Sequence, residues 1–83
     1  MGYLYILQSE TTSHFYIGST PELERRLAEH FRGHSLATRN RGPWKLVHQE
    51  RFDTLLEARR RESEIKRWKS ATMIRALVEG SVG

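Results

Sequence analysis

The sequence has 83 residues, of which 37% are hydrophobic and 29% charged, and we expect one domain spanning residues 1–83. It contains no cysteine, which excludes disulfides, thiolate metal sites and cysteine nucleophiles and is typical of a reducing compartment such as the cytoplasm. The net charge is +4, with eleven arginines against three lysines, and arginine binds phosphate in a bidentate manner. No apolar run approaches the roughly 20 residues of a membrane span. The basic charge is as compatible with a nucleic-acid partner as with a surface that only keeps a small protein soluble.

The beginning of the chain predicts a β-hairpin. Residues 3–7 are aromatic and branched, which is typical of a strand, and residues 14–18 have the same character. The polar run between them suits a hairpin connection, so we expect the two strands to be antiparallel. The two-residue period of a strand then places Tyr16 and Gly18 on one face of the second strand, and Tyr5 faces one side of the first. Tyrosines in small sheets are most often core residues with an accessible hydroxyl, and that interpretation stays open here.

A helix is predicted after the hairpin. Residues 20–22 supply a hydroxyl cap, a first-turn proline and an acid at the positive end of the helix dipole. We expect the helix to run to about Arg32, where Gly33 ends it. A polar, basic loop over residues 34–43 follows, and residues 44–52 read as a third strand.

Two polar residues border the apolar stripe of this first helix. The stripe consists of Leu23, Leu27 and Phe31. Arg26 and His30 are four residues apart, so their side chains point the same way. On spacing alone, the pattern favours a surface arginine and a locally hydrogen-bonded histidine over a functional pair, which stays open as the alternative.

The second half of the chain predicts two further helices. Asp53 or Thr54 caps a long helix that runs to about Lys69, and Ser70 or Thr72 caps a short last helix. The resulting order, β-β-α-β-α-α, predicts an α/β (α+β) fold with a small, three-stranded, mainly antiparallel sheet flanked by helices.

A carboxylate interrupts the apolar stripe of the long helix. That stripe is formed by Leu55, Ala58, Ile65 and Trp68. Glu62 falls on it, and a carboxylate that faces a core must be ion-paired, hydrogen-bonded or metal-bound. Spacing alone leaves a functional carboxylate and a simple ion pair at the edge of the stripe as alternatives. The candidate partners of such an ion pair are Arg59, Arg60, Arg61 and Lys66.

In their order along the chain, these residues resemble the GIY-YIG nuclease family. Residues 16–18, Tyr-Ile-Gly, stand as the second half of the family's name motif, and Tyr5 matches the tyrosine that ends the first half. The chain departs from the family at Tyr3, where the first half has glycine, and no asparagine follows Glu62, where some members have one. The resemblance covers about residues 3–78 and is closest to the small stand-alone bacterial members.

The resemblance implies a metal-dependent endonuclease that hydrolyses phosphodiester bonds in DNA, including the branched or flapped DNA met in DNA repair. Arg26 lies at the position of the family's catalytic arginine and His30 at its usual His/Tyr position. Glu62 matches the glutamate that binds a single Mg²⁺ or Mn²⁺, and the implied catalytic set is completed by Tyr5 and Tyr16. A phenol with an ordinary pKa near 10 suits positioning of the water better than its deprotonation, so His30 is the better candidate for a proton relay.

Other basic side chains are candidates for holding the nucleic-acid backbone, and they are His34, Arg39, Arg41, Lys45, Arg59 and Lys66. None forms a base-reading motif, so we expect recognition of shape or backbone, with DNA favoured over RNA. A lone domain also favours a protein partner that supplies the substrate. Two alternatives remain: a non-catalytic nucleic-acid-binding module of the same fold, and a protein-interaction domain that uses an exposed Trp44 or Trp68.

Overall fold

Three strands and three helices make up the part of the chain that the computed structural model describes, residues 1–33 and 42–80. They are, in order, β1 (Gly2–Ser9), β2 (Phe15–Thr20), α1 (Leu23–Phe31), β3 (Trp44–Phe52), α2 (Leu55–Trp68) and α3 (Ala71–Gly80). The predicted order β-β-α-β-α-α is confirmed. No helix in the described ranges combines the length and the apolar character that a membrane crossing needs. Three of the predicted nucleic-acid contacts lie outside the described residues, namely His34, Arg39 and Arg41.

β1 is the central strand of the sheet. The strand order is β2-β1-β3, and β1 pairs with both neighbours in an antiparallel manner. In the register of β1 and β2, Tyr5 lies opposite Gly18 and Leu7 lies opposite Tyr16. The pairing with β3 shifts its register between Ile6 and Leu7, which marks an irregularity of the β-bulge type. The sheet therefore sets the tyrosine of β1 directly beside the glycine of β2.

The sheet separates two apolar clusters. On one face, α2 and α3 cover a cluster of Leu4, Ile6, Ile17, Ile65 and Ile74. On the other face lies a cluster formed by Tyr5, Leu7 and Trp44 with Tyr16, Leu23, Leu27 and Leu46. Burial of each large apolar side chain stabilises the fold by about 1.5–3 kcal/mol. The two predicted catalytic tyrosines thus belong to the face that α1 covers, and α2 packs on the opposite face.

Hydroxyl side chains cap two of the three described helices, α2 and α3. The predicted cap Thr54 accepts a hydrogen bond from the backbone N–H of Glu57 at 3.2 Å, and α3 is capped by a serine in the same way. The prediction that Thr20 caps α1 is wrong, because no side chain caps the first turn of this helix. Thr20 accepts the N–H of Glu22 at 3.1 Å, and the helix begins only at Leu23. The hydroxyl therefore stabilises the turn that precedes α1 rather than its first residue.

The predicted apolar stripe of α1 is wrong at one position. Phe31 is 51% exposed, whereas its neighbour His30 is only 2% exposed. Leu23 and Leu27 pack toward the sheet as predicted. A polar side chain can occupy the remaining inward position because Tyr5 supplies a hydrogen-bonding partner there.

Candidate active site

Tyr5 lies on the α1 face of the sheet and is 1% exposed. Its ring lies over Gly18 of β2, because a Cβ added at Gly18 would come within 2.5 Å of the Tyr5 hydroxyl oxygen. Side chains do not approach one another that closely, so a residue without Cβ is required at this position. The glycine of the Tyr-Ile-Gly triplet therefore makes the space in which the phenol lies.

Tyr5, Tyr16 and His30 form a cluster of three rings. The hydroxyl oxygen of Tyr5 and Nε2 of His30 are 2.9 Å apart, and the ring centroids of Tyr16 and His30 are 4.9 Å apart. Burial, assisted by the nearby cation of Arg26, lowers the pKa of His30 to about 4. Burial also raises the pKa of Tyr5 to about 12. At neutral pH the hydrogen bond therefore joins a neutral phenol to a neutral imidazole.

Arg26 lies at the solvent side of this cluster, with its side chain 37% exposed. Its Nη1 donates a hydrogen bond to Oε1 of Glu29 at 2.8 Å. Hydrogen bonding, first with Glu29 and then with Tyr5, raises the pKa of Arg26 further above its usual value. The same ion pair lowers the pKa of the Glu29 carboxyl. A hollow of about 340 Å³ opens beside these two side chains. Arg26 thus holds a permanent positive charge next to Tyr5 and next to accessible space.

Glu62 approaches from α2, which packs on the opposite face of the sheet. Its Oε1 accepts a hydrogen bond from the hydroxyl of Ser19, and its Oε2 lies 2.5 Å from Nζ of Lys66. Ser19 directly follows Gly18, so the carboxylate reaches the same part of β2 that Tyr5 overlies. Burial is the main cause of the raised pKa of Tyr5, and the charge of Glu62 adds to it. The side chain of Glu62 is 21% exposed.

The structure brings four of the five predicted catalytic residues together on the α1 face of the sheet. The fifth, Glu62, lies on α2 and contacts β2 through Ser19. The ion pair of Glu62 with Lys66 is one of the alternatives that the spacing of the long helix left open. The hydrogen bond from Ser19 to Glu62 is additional to that ion pair. Lys66 was also predicted to bind nucleic acid. Two others of that predicted group, Lys45 on β3 and Arg59 on α2, are exposed.

Two contacts at the site were not predicted from the sequence. They are the hydrogen bond from Ser19 to Glu62 and the ion pair of Arg26 with Glu29. The first joins residues 43 positions apart and has no local signal. The second was accessible, because glutamate three residues after arginine on a helix is a common ion-pair spacing.

A metal ion at this site would find few protein ligands. Within residues 1–33 and 42–80, no group of three His, Asp or Glu side chains is arranged to hold one. The donors present are the Glu62 carboxylate and the Ser19 hydroxyl, which are oxygen atoms of the type that Mg²⁺ and Mn²⁺ prefer. Mg²⁺ retains several waters and is commonly held by one or two carboxylates together with substrate phosphates. The donor set fits such an ion and does not fit a closed protein cage.

The GIY-YIG catalytic domain model matches residues 1–75 of the chain. The chain belongs to the GIY-YIG family. A UPF0213 protein of Staphylococcus saprophyticus is 37% identical over 79 residues, which cover 94% of this chain and 95% of that protein. A UPF0213 protein of Natronomonas pharaonis is 46% identical over 65 residues, covering 77% and 75% of the two chains.

A solved structure shows the same fold. The solution NMR structure of the UPF0213 protein BH0048 from Bacillus halodurans is similar with a TM-score of 0.60 and 36% sequence identity, covering 95% of this chain and 84% of that one. These findings confirm the resemblance to the GIY-YIG family and the predicted fold class. They place the chain in a nuclease-type family.

Proposed function

We propose that this protein is a divalent-metal-dependent endonuclease that hydrolyses phosphodiester bonds in DNA. The observation that carries the proposal is the cluster of the Tyr5–His30 pair and the Arg26 cation beside Gly18, with the Glu62 carboxylate hydrogen-bonded to the adjacent Ser19 and contributing to the raised pKa of Tyr5. Burying the polar groups of Tyr5 and His30 is costly, and apolar side chains of similar volume would serve a core at least as well. Buried groups with strongly shifted pKa values beside accessible space are typical of catalytic sites.

Tyr5 and His30 would act on the attacking water. With its pKa near 12, Tyr5 keeps its proton at neutral pH and is not a phenolate base. Its hydroxyl oxygen instead accepts a hydrogen bond from the water while its own proton points to Nε2 of His30, 2.9 Å away. As the water attacks phosphorus, the P–O bond to the leaving oxygen breaks, a proton of the water passes to Tyr5 and the Tyr5 proton passes to His30. The leaving oxygen takes a proton from solvent. The negative charge of a bound phosphate favours the transfer to His30 because it raises the pKa of the imidazole in the complex.

Arg26 would bind the non-bridging oxygens of the phosphate. Its guanidinium is charged at every relevant pH and adjoins the open hollow, so it stabilises negative charge that grows during attack. Glu29 holds the guanidinium from the other side and so fixes its direction. Tyr16 packs against the His30 ring and keeps it in line with Tyr5.

Glu62, assisted by the hydroxyl of Ser19, would hold one Mg²⁺ or Mn²⁺. When bound, the ion supplies charge neutralisation at the phosphate and at the leaving oxygen. Lys66 must release Glu62 for the ion to bind, and the freed ammonium is then available to a backbone phosphate. Exposed Lys45 and Arg59 add further backbone contacts, so recognition rests on charge and shape rather than on base sequence.

The test is a cleavage assay with labelled single-stranded, duplex, flapped and branched DNA and a matching RNA, each with Mg²⁺, Mn²⁺ or a chelator. Glu62→Gln removes the metal-binding charge, and Glu64→Gln on the same helix is the matched control. We expect metal-dependent cleavage of DNA that falls on the order of 10²-fold or more in Glu62→Gln. Glu64→Gln should cut like the wild type. Cleavage in chelator, or an unaffected Glu62→Gln, would contradict the proposal.

A second candidate is a nucleic-acid-binding module without catalysis. It is favoured by the ion pair of Glu62 with Lys66, which already neutralises the carboxylate. Under this alternative the wild type binds the substrates and cuts none, and Glu62→Gln binds as well or better because a negative charge is gone. A protein-interaction domain is less well supported, because Trp44 is 9% exposed and the Trp68 ring lies under Arg61 at 5.6 Å.

A further inference from the structure

A groove of about 490 Å³ lies between the turn that joins β1 to β2 and the junction of α2 with α3. Its apolar lining comes from Phe15, Trp44 and Ile74, and Tyr16 of the candidate active site also lines it. The rings of Tyr16 and Trp44 are in an edge-to-face arrangement, with centroids 6.4 Å apart. Sites for small organic groups have volumes of about 300–1,000 Å³, so the groove is large enough for one. It continues the candidate active site into a partly aromatic recess.

Apart from the Tyr16 phenol, the ionisable side chains that line this groove are basic. They are His14, Lys69 and Arg75, and none of the carboxylates among the described residues lines the groove. Lys69 and Arg75 are exposed, and neither has an ion-pair partner within the described part of the chain. The hollow of about 670 Å³ beside Arg25 differs, since Glu22 and Glu24 line it.

We propose that this groove is a subsite for an unpaired nucleotide of the substrate. Its base lies against the aromatic lining, and its phosphate is held by Arg75 and Lys69. An aromatic wall beside unneutralised positive charge is the combination with which proteins bind single strands. The inference rests on the proposed function, because Tyr16 connects the groove to the site where the bond is cut. A paired base cannot enter, so the protein selects DNA with an unpaired nucleotide next to the cleaved bond.

Two pairs of matched variants test the binding of the base and the binding of the phosphate separately. Ala71→Leu adds an apolar side chain to the groove without a change of charge, and Ala76→Leu makes the same change at an exposed position of α3 that does not line it. Arg75→Ala removes a charge from the groove, and Arg60→Ala removes one from an exposed position of α2 outside it. All four positions are exposed, so the fold tolerates the changes.

The measurement is binding without metal, by fluorescence anisotropy, of a labelled oligothymidylate of about 12 nucleotides. The comparison ligand has the same phosphates but abasic sugars, and polyglutamate serves as a competitor with charge and no bases. We expect the wild type and Ala76→Leu to prefer the oligothymidylate by about five- to tenfold, and Ala71→Leu to lose that preference. Arg75→Ala should weaken both oligomers alike, and more than Arg60→Ala does.

The subsite is overturned if Ala71→Leu keeps the preference, or if Arg75→Ala binds both oligomers as the wild type does. Polyglutamate that displaces the oligothymidylate as effectively as unlabelled DNA would make the groove an acidic-peptide site instead. Because binding is measured without cleavage, the two proposals fail separately. Loss of base preference in Ala71→Leu without any cleavage by the wild type supports the subsite and refutes the nuclease. Metal-dependent cleavage with unchanged preference refutes only the subsite.

Discussion

Replacing His30 by glutamine should make the stability of the protein less sensitive to acid. His30 is 2% exposed, and its Nε2 lies 2.9 Å from the Tyr5 hydroxyl oxygen, a contact that the glutamine side chain can reach. Burial, with the Arg26 cation, lowers the pKa of His30 from 6.5 to about 4. The unfolded chain binds the proton more readily than the folded one. The stability that the neutral His30 imidazole contributes is therefore fully present above pH 6.5 and is lost as the pH falls toward 4.

The magnitude follows from the two pKa values of His30. A difference of this size corresponds to about 3 kcal/mol of stability once both states are protonated. At a pH of about 5, the unfolded chain is almost fully protonated at this position and the folded chain is not, so about 2 kcal/mol has been lost. Carboxylates with a lowered pKa, such as Glu29 beside Arg26, are present in both proteins. The difference between wild type and His30→Gln therefore isolates the imidazole.

The assay is urea unfolding followed by tryptophan fluorescence at a pH of about 8 and at a pH of about 5. Between these values the wild type should lose about 2 kcal/mol more of its free energy of unfolding than His30→Gln loses. In thermal melts this corresponds to an additional fall in Tm of about 8–16 °C. Equal losses in the two proteins would refute the reasoning, because His30 would then titrate alike in the folded and unfolded chains.

Three further substitutions test the packing around the site. Gly18→Ala should lower the free energy of unfolding by about 1–3 kcal/mol and reduce cleavage, because the added Cβ would lie 2.5 Å from the Tyr5 hydroxyl oxygen. A thermal melt and a cleavage rate like those of the wild type would show that Tyr5 does not lie there. Thr54→Ala removes the hydroxyl that accepts a hydrogen bond from the N–H of Glu57, so the free energy of unfolding measured in urea should fall by about 1 kcal/mol while cleavage stays unchanged. An unchanged urea midpoint would contradict this role of Thr54. Ile65→Val, at a fully buried position, should lower the free energy of unfolding by about 0.5–1.5 kcal/mol. An unchanged free energy of unfolding in urea would mean that α2 packs less tightly than described.

Local signals were sufficient to predict the order of the elements. The run of aromatic and branched residues from Trp44 to Phe52 forms β3 with the predicted bounds, and Thr54 caps the helix that follows. The start of α1 was less accessible, because the hydroxyl of Thr20 stabilises a turn before the helix instead of its first residue. The inward residue of α1 is also decided by tertiary contact. His30 faces the sheet because Tyr5, 25 residues earlier, supplies its hydrogen bond.

The residues of the candidate site could be named from the sequence, but their contacts could not. Strand periodicity gave the faces of Tyr5 and Tyr16, and helical spacing singled out Glu62 as a carboxylate that needs a partner. That Glu62 binds Ser19 on β2 depends on how α2 lies across the sheet. The shifted pKa values of Tyr5 and His30 likewise arise from burial, which only the assembled core provides.

The central claim is that Tyr5 and Glu62 belong to one catalytic centre. A double-mutant cycle on the single-turnover rate of DNA cleavage tests this claim most directly. Tyr5→Phe and Glu62→Gln should each slow cleavage on the order of 10²-fold or more. The double variant should be about as slow as the slower single variant, because groups that act as a unit are strongly non-additive. Losses that multiply in the double variant, or a Tyr5→Phe protein that cuts at the wild-type rate, would contradict the account.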